Sequence, residues 1–426
     1  MKSQNDIAWE AFFEKYQVLD RIRKDGAFLA SASEMKPYRE PRLMAKFDHH
    51  INLPQIFIQN HLAILPVSRG DYMIAHFEAY HSFEPSEQEI THVSLPSHLQ
   101  SLNADSISSE TVAVNCAWAS GILSDFLGED CLYAAVSGRM GSGQFAFQIL
   151  DSQMKSFIPV SVNNSQIEID AAFEGTHSLS LIEAKRDLSE DFLVRQLYYP
   201  FRLWHSRVTK QVKPVFLVYS NGIFHLYEYT FQNTEQYNSL VLTKHKNYAI
   251  EDTAIGFSDL SEIASHIQLV PEPDISFPQA NNLERVINLC ELLSTQSLSR
   301  EQVTEQYAFD TRQTNYYTDA ARYLGLLEKQ YGEKHKPVYF LSPFGKRVMQ
   351  LNYKQRQLAF CKAILQHRPF LETFQWFLKT GTMPGKEKIA DMMRSSGLYH
   401  IGSDSTYERR SSTISSWIAW MIRLTK

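Results

Sequence analysis

Cysteine is scarce in this chain: four in 426 residues, Cys116, Cys131, Cys290 and Cys361, far apart and with no CxxC pair. That spacing excludes the usual zinc sites and disulfide frameworks, and buried free thiols are expected. Long apolar runs are missing too. No stretch approaches the ~20 uninterrupted apolar residues that span a bilayer, so no membrane partner is expected. The opening Met1-Lys-Ser-Gln-Asn-Asp6 is too polar for a secretory leader, and cytoplasmic residence is the expectation. No internal repeat and no low-complexity tract occurs, which sets aside solenoids and fibrous folds. Positive charge is not in excess either, since the formal net charge is −5.

What is present is an uneven distribution of that charge. From Asn281 onward there are 21 Lys and Arg against 13 Asp and Glu, leaving 21 against 34 for the rest. A basic third on an acidic body suits a polyanion partner for that third. The two are separated by Val270-Pro-Glu-Pro-Asp-Ile-Ser-Phe-Pro278, where three prolines disfavour helix and favour extended chain. Turn residues in Ser94–Ser97 and Leu102–Asp105 mark an earlier division. Three units are therefore expected: 1–100, 101–270 and 281–426. The first opens with one helix over 5–23, followed by strands near 62–65 and 72–77. The second has a helix over 109–127 and strands over 145–150, 157–162, 166–173 and 179–185. A helix over 189–205 follows, then a hairpin of 214–219 and 223–230 turning at Asn221-Gly222. Strands interrupted by one helix indicate a mixed α/β sheet.

Within it, Gln166-Ile-Glu-Ile-Asp170 and Ser180-Leu-Ile-Glu-Ala-Lys185 carry the chemistry. Strand side chains alternate faces, so Glu168 shares a face with Asp170, and Glu183 with Lys185. If the two strands are neighbours, several charges converge. Carboxylates gathered in this way repel one another unless a cation sits between them, and hard oxygen ligands suit Mg²⁺. Such an ion activates water and stabilises charge on a phosphate; a lysine beside it positions water and neutralises developing charge.

The pattern Asp-x12-Glu-x-Lys resembles the PD-(D/E)xK nuclease superfamily, with Ile169 in place of the usual proline. The resemblance implies an α/β fold: a restriction-endonuclease-like core, a mixed sheet flanked by helices, with the acids on a central hairpin. It implies Asp170 and Glu183 as Mg²⁺ ligands and Lys185 as the catalytic lysine, with Glu168 and Glu110 as further candidate ligands. Gln196 and Tyr199, on the helix after the lysine, are candidates to line the site. Ser137-Gly-Arg-Met-Gly-Ser-Gly143 reads as a flexible polar loop in which Arg139, Ser142 and exposed amides could hold a phosphate. It lacks the GKS/T ending of a Walker loop.

In the basic third, a capping-box start at Ser299 and a polar helix from Asp310 are followed by a strand at 338–341 and a helix from Ser342-Pro343. This order resembles a winged helix-turn-helix, whose second helix enters the DNA major groove by its N-terminal residues; here these are Arg312, Gln313, Asn315 and Tyr316. A second candidate pair is a helix over 386–396 and a long one opened by a capping box at Ser405. The latter buries Ile414, Trp417, Ile418 and Met421 and leaves Arg409, Arg410 and Ser412 for DNA. The N-terminal unit, an α+β accessory domain, offers Arg39, Arg42 and Lys46. Its Asp48-His-His-Ile-Asn-Leu-Pro54 faintly resembles a His-Asn-His nuclease opening, but without the CxxC support that motif needs.

Together these readings point to a type II restriction endonuclease: Mg²⁺-dependent hydrolysis of double-stranded DNA at or near a short sequence, by a homodimer, with a cognate DNA methyltransferase acting on the same site. The alternatives are another nuclease of the superfamily, in repair, transposition or methylation-dependent defence, and a non-catalytic winged-helix regulator.

Overall fold

A computed structural model describes residues 3–84, 89–104, 107–250, 254–307, 309–332, 336–399, 401 and 403–425. Asp105 of the expected turn and residues 333–335 of the expected wing lie outside them.

The N-terminal unit contains α1 (Gln4–Tyr16), α2 (Val18–Asp25), β1 (Phe28–Ser31), α3 (Ala32–Met35), α4 (Pro41–Ala45), a 3-10 turn (His50–Asn52), α5 (Gln55–Gln59), β2 (Ala63–Pro66) and β3 (Asp71–Ala75). The strands form an antiparallel sheet in the order β1-β3-β2. The single helix expected over 5–23 is broken at Gln17, whose φ is +49°. The reason is packing. Val18 follows Trp9 by about two and a half helical turns, so an unbroken helix would point them to opposite sides. The break turns Trp9, Phe12, Val18 and Ile22 into one core with Phe28 and Phe57.

The central body continues with β4 (Tyr80–Ser82), β5 (Ile90–Val93), α6 (Glu110–Ala119), α7 (Ile122–Leu127), β6 (Tyr133–Ala134), β7 (Gly138–Gly141), β8 (Gln144–Leu150), β9 (Phe157–Asn163), β10 (Gln166–Ile169), β11 (Ala171–Glu174), β12 (Ser178–Lys185), β13 (Asp191–Leu193), α8 (Arg195–His205), β14 (Gln211–Ser220), β15 (Ile223–Phe231) and β16 (Leu240–Ile250); α9 (Phe257–His266) follows in the chain but buries Leu260 and Ala264 in the core of the C-terminal unit. A seven-stranded mixed sheet runs β5-β16-β15-β14-β12-β11-β6. Pairs β12/β14 and β16/β5 are parallel and the remainder antiparallel. On one face, α6 and α7 pack over Ile182, Ala184, Val215 and Leu217. On the other, α8 packs over Leu179, Leu181, Phe216 and Val218. The protein is thus a mixed α/β molecule.

Several sequence expectations change. Residues 80–93, expected in the N-terminal unit, supply β4, which pairs with β13, and the edge strand β5. The helix over 109–127 breaks at Gly121, φ +79°. The helix after the lysine begins at Arg195, because Asp191–Leu193 extends as β13. The polar loop 137–143 contains β7, paired to β10. The single strand over 166–173 is two strands in different sheets, changing partner at Asp170. Cys116, Cys290 and Cys361 are buried, but Cys131 is exposed.

The C-terminal unit comprises α10 (Leu283–Leu292), β17 (Leu298–Ser299), α11 (Arg300–Gln306), α12 (Thr311–Tyr323), β18 (Leu327–Tyr331), β19 (Pro337–Leu341), α13 (Pro343–Met349), α14 (Tyr353–Leu365), α15 (Arg368–Thr380), α16 (Lys386–Arg394) and α17 (Asp404–Arg423). Its sheet order is β17-β19-β18. The capping box expected at Ser405 does not form: α17 starts two residues earlier, with Ser403 at the cap and no side-chain cap bond. The proline-rich segment is pinned to this unit. Phe277 and Ala280 are buried, Trp417 Nε1 donates to the Ala280 carbonyl at 2.7 Å, and Arg410 donates to that of Phe277. Among the described residues no helix is long and apolar enough to cross a membrane.

Candidate active site

Asp170 sits where the chain leaves β10 for β11. Ala171 pairs with Ile182, so Asp170 stands level with Glu183 on the neighbouring strand. Its Oδ2 accepts the Ala184 N–H at 2.8 Å, tying the junction to β12. Alternation on β12 buries Ile182 and Ala184 under α6 and turns Glu183 and Lys185 to the other face. Lys185 Nζ donates to Glu183 Oε1 at 2.5 Å, and Gln196 Nε2 donates to the same oxygen at 2.7 Å. Gln196 Oε1 and Arg195 Nε are buried without a hydrogen-bond partner.

Asp170, Glu183, Lys185, Gln196 and Glu110 line one cavity of about 280 Å³. Its far wall comes from the N-terminal unit: Arg42, Lys46 and Asp48. A neighbouring cavity of about 530 Å³ shares Lys46, Asp48, Glu110 and Lys185 and extends past Arg39 to Asp310 and Thr311 at the start of α12.

Charge is concentrated here. Burial pushes the Glu183 carboxyl up to about 7 against the pull of Lys185, with the Asp170 charge adding to the rise. Burial also raises Glu110; Lys185 opposes this, while Asp170 and Asp187 reinforce it. Burial alone would lower the Lys185 ammonium, but Glu183, Asp48 and Glu110 outweigh it and hold the lysine charged well above its ordinary range. The carboxylates are therefore close enough to repel, the condition a cation relieves. Among the described residues no three His, Cys, Asp or Glu side chains form a ready-made metal cage. Asp170 and Glu183, with Glu110 nearby, are the carboxylates that could hold a hard cation, which retains several waters when few side chains bind it.

The other expected residues fall in varied places. Glu168 lines the same cavity but pairs with Arg139 across β10 and β7 at 3.2 Å, both half exposed. Ser142 is buried and donates to the Gly143 carbonyl, so it faces no ligand. Tyr199 is fully buried, with its hydroxyl on the Pro66 carbonyl at 3.0 Å; it is a core residue rather than part of the site. Arg39 donates to Asn5 Oδ1 at 2.6 Å. On α12, Arg312 is exposed and donates to the Tyr316 hydroxyl at 2.6 Å, Asn315 is half-buried, and Gln313 closes the capping box with Asp310. On α17, Arg409 is exposed, but Arg410 is half-buried against the proline-rich segment and is not free to reach outward. Ser412 donates to the Arg409 carbonyl, turned into its own helix.

Three residues that the sequence pattern did not assign to this site border it or its neighbours. Asp48 lines both cavities. Beside it, buried His49 places Nε2 3.1 Å from Asp187 Oδ2 and Nδ1 2.6 Å from the Asp191 carbonyl. Asp187 has a signal in retrospect, since it continues the alternation Glu183, Lys185, Asp187. Asp48 and His49 open the segment that faintly resembles a His-Asn-His motif, but nothing local places them at this site, which they reach from about 140 residues away along the chain.

Three family models match the chain in succession, each described only as a domain of unknown function: Domain of unknown function (DUF6996) over residues 6–74, Domain of unknown function (DUF6997) over 75–249 and Domain of unknown function (DUF7226) over 285–426. No curated protein and no solved structure matches.

Proposed function

We propose that this protein is a metal-dependent endonuclease of the PD-(D/E)xK type that cuts double-stranded DNA at or near a short sequence, as a type II restriction enzyme does. The observation that carries this reading is the meeting of Asp170, Glu183 and Lys185 at one cavity wall, with basic residues facing them. A Mg²⁺ ion held by Asp170 and Glu183, with Glu110 as a further candidate ligand, would supply an activated water and charge stabilisation at the scissile phosphate. Lys185 is held charged by its acidic neighbours, which suits it to neutralising negative charge developing on the phosphate. Gln196 fixes the Glu183 oxygen that Lys185 also holds, so it is a positioning residue. Arg42 and Lys46, which line the same cavity with Lys46 3.5 Å from Asp48, would bind the backbone phosphates flanking the cut.

The C-terminal order of α11, α12 and the β18–β19 pair resembles a winged helix-turn-helix. With α12 opening beside the larger cavity, the exposed Arg312 and its partner Tyr316 are the first candidates to meet DNA bases. Cutting both strands calls for two such sites, hence a homodimer.

A plasmid digest with and without Mg²⁺ tests the activity. Wild type is expected to linearise or fragment DNA only with the metal, and chelation to stop it. Lys185→Ala should abolish cleavage while DNA retention in a gel shift persists. Undiminished cleavage by Lys185→Ala would overturn the assignment.

A further inference from the structure

A third cavity, of about 570 Å³, lies between the central body and the C-terminal unit, and Arg186, Lys346 and Arg356 are among the residues that line it. Arg356 is only 6% exposed, yet its guanidinium makes no ion pair or hydrogen bond among the described residues, and its Nε is wholly buried. Arg186 spends one nitrogen on the Ser108 carbonyl at 2.6 Å and also leaves a buried Nε unpartnered. Lys346 is exposed at the rim. A guanidinium taken from water without a counter-charge costs several kcal/mol, and neighbouring cations add to that. The acid in this wall, Glu291, forms no ion pair among the described residues, its oxygens accepting from the Ser220 hydroxyl at 2.8 Å and the Asn221 N–H at 2.9 Å, so one carboxylate stands against three cations. The remaining lining mixes apolar and hydroxyl groups, with Tyr219, Leu341 and Met349 alongside Ser294 and Thr295.

We propose that this cavity binds a phosphorylated small molecule of mononucleotide size, its phosphates on Arg356, Arg186 and Lys346 and its ring against Tyr219, Leu341 and Met349. The volume falls in the range of small-molecule sites, roughly 300–1,000 Å³. Arginine forks match phosphate oxygens, and bound phosphate supplies the missing counter-charge. A DNA backbone offers the same phosphate chemistry, but a duplex would have to reach a guanidinium that is 6% exposed. The inference does not depend on the nuclease reading.

Titration calorimetry on the full chain with ADP, and separately with inorganic pyrophosphate, tests it. Saturable binding of one ligand per chain is expected, weakened about tenfold by Lys346→Ala through loss of one charge-assisted contact. Because Lys346 is exposed, its variant should melt at the wild-type temperature. Arg356→Met, which keeps the apolar stem, should lose binding altogether. Lys185→Ala should bind ADP as wild type does, since Lys185 lines the other cavities. The proposal is overturned if neither probe binds wild type or if Lys346→Ala leaves binding unchanged. It is equally overturned if Lys185→Ala abolishes binding, or if Lys346→Ala weakens binding of a short duplex but not of ADP.

Discussion

At the residue scale, the clearest electrostatic commitment outside Asp170, Glu183 and Lys185 is His49. Burial alone would lower its imidazole, but hydrogen bonds to Asp187 and Asp191 outweigh it and raise the ring to about 10. The same contact, working against burial, lowers Asp187 below the usual carboxylate range. The linkage sign follows. A histidine whose folded-state value exceeds its unfolded 6.5 contributes stability that is complete below about pH 6.5 and is lost as pH rises toward about 10. His49→Gln should therefore melt below wild type by a margin that is largest near pH 6 and shrinks on the alkaline side. Calorimetric melting of both proteins across that range checks it, and a pH-independent gap would mean the ring is neutral in the fold. Because Asp187 also borders the larger cavity that reaches Lys185, the proposed DNA cleavage should be weaker in His49→Gln than in wild type.

At the element scale, α13 is seated by a glycine. Ser342 caps the helix by accepting the Gly345 N–H at 2.9 Å, and a Cβ at Gly345 would lie 2.1 Å from the Leu326 carbonyl oxygen. Backbone cannot yield as a flexible side chain can. Gly345→Ala should cost about 1–3 kcal/mol by overpacking, read as a lower urea midpoint, and an unchanged midpoint would contradict the packing described. This scale also shows what local pattern conveys. The hairpin at Asn221-Gly222 was legible because the turn needs positive φ at both residues, and both have it, +54° and +79°. The strand pair bearing Glu183 was legible from alternation. Breaks at Gln17 and Asp170 were not, because the apolar pattern runs on through them and the cause is distant: a shared core in one case, a change of sheet in the other. The convergence of Asp170, Glu183 and Lys185 follows if the two strands are neighbours, whereas the approach of Asp48 from the N-terminal unit had no local signal.

At the scale of the whole molecule, the body and the C-terminal unit meet through polar groups at the hairpin tip, beside an apolar contact of Ile223 with Tyr353. The hairpin tip inserts Ser220 and Asn221 against Glu291, while Asn221 and Gln357 exchange reciprocal amide bonds at 3.0 and 2.8 Å. Glu291→Ala would leave the buried Asn221 N–H without its acceptor, a loss of about 2–3 kcal/mol, and should split one calorimetric transition into two as the units uncouple. A single transition at the wild-type temperature would show that the junction is held by other contacts. The wall opposite Lys185 has a different consequence. Arg42, Lys46 and Asp48 fall in the first family match, whereas Asp170, Glu183 and Lys185 fall in the second. A boundary drawn by sequence similarity therefore runs through the middle of one cavity. In recombination between relatives, these two segments would have to be inherited together, since exchanging either alone would mate one half of the pocket with a stranger's.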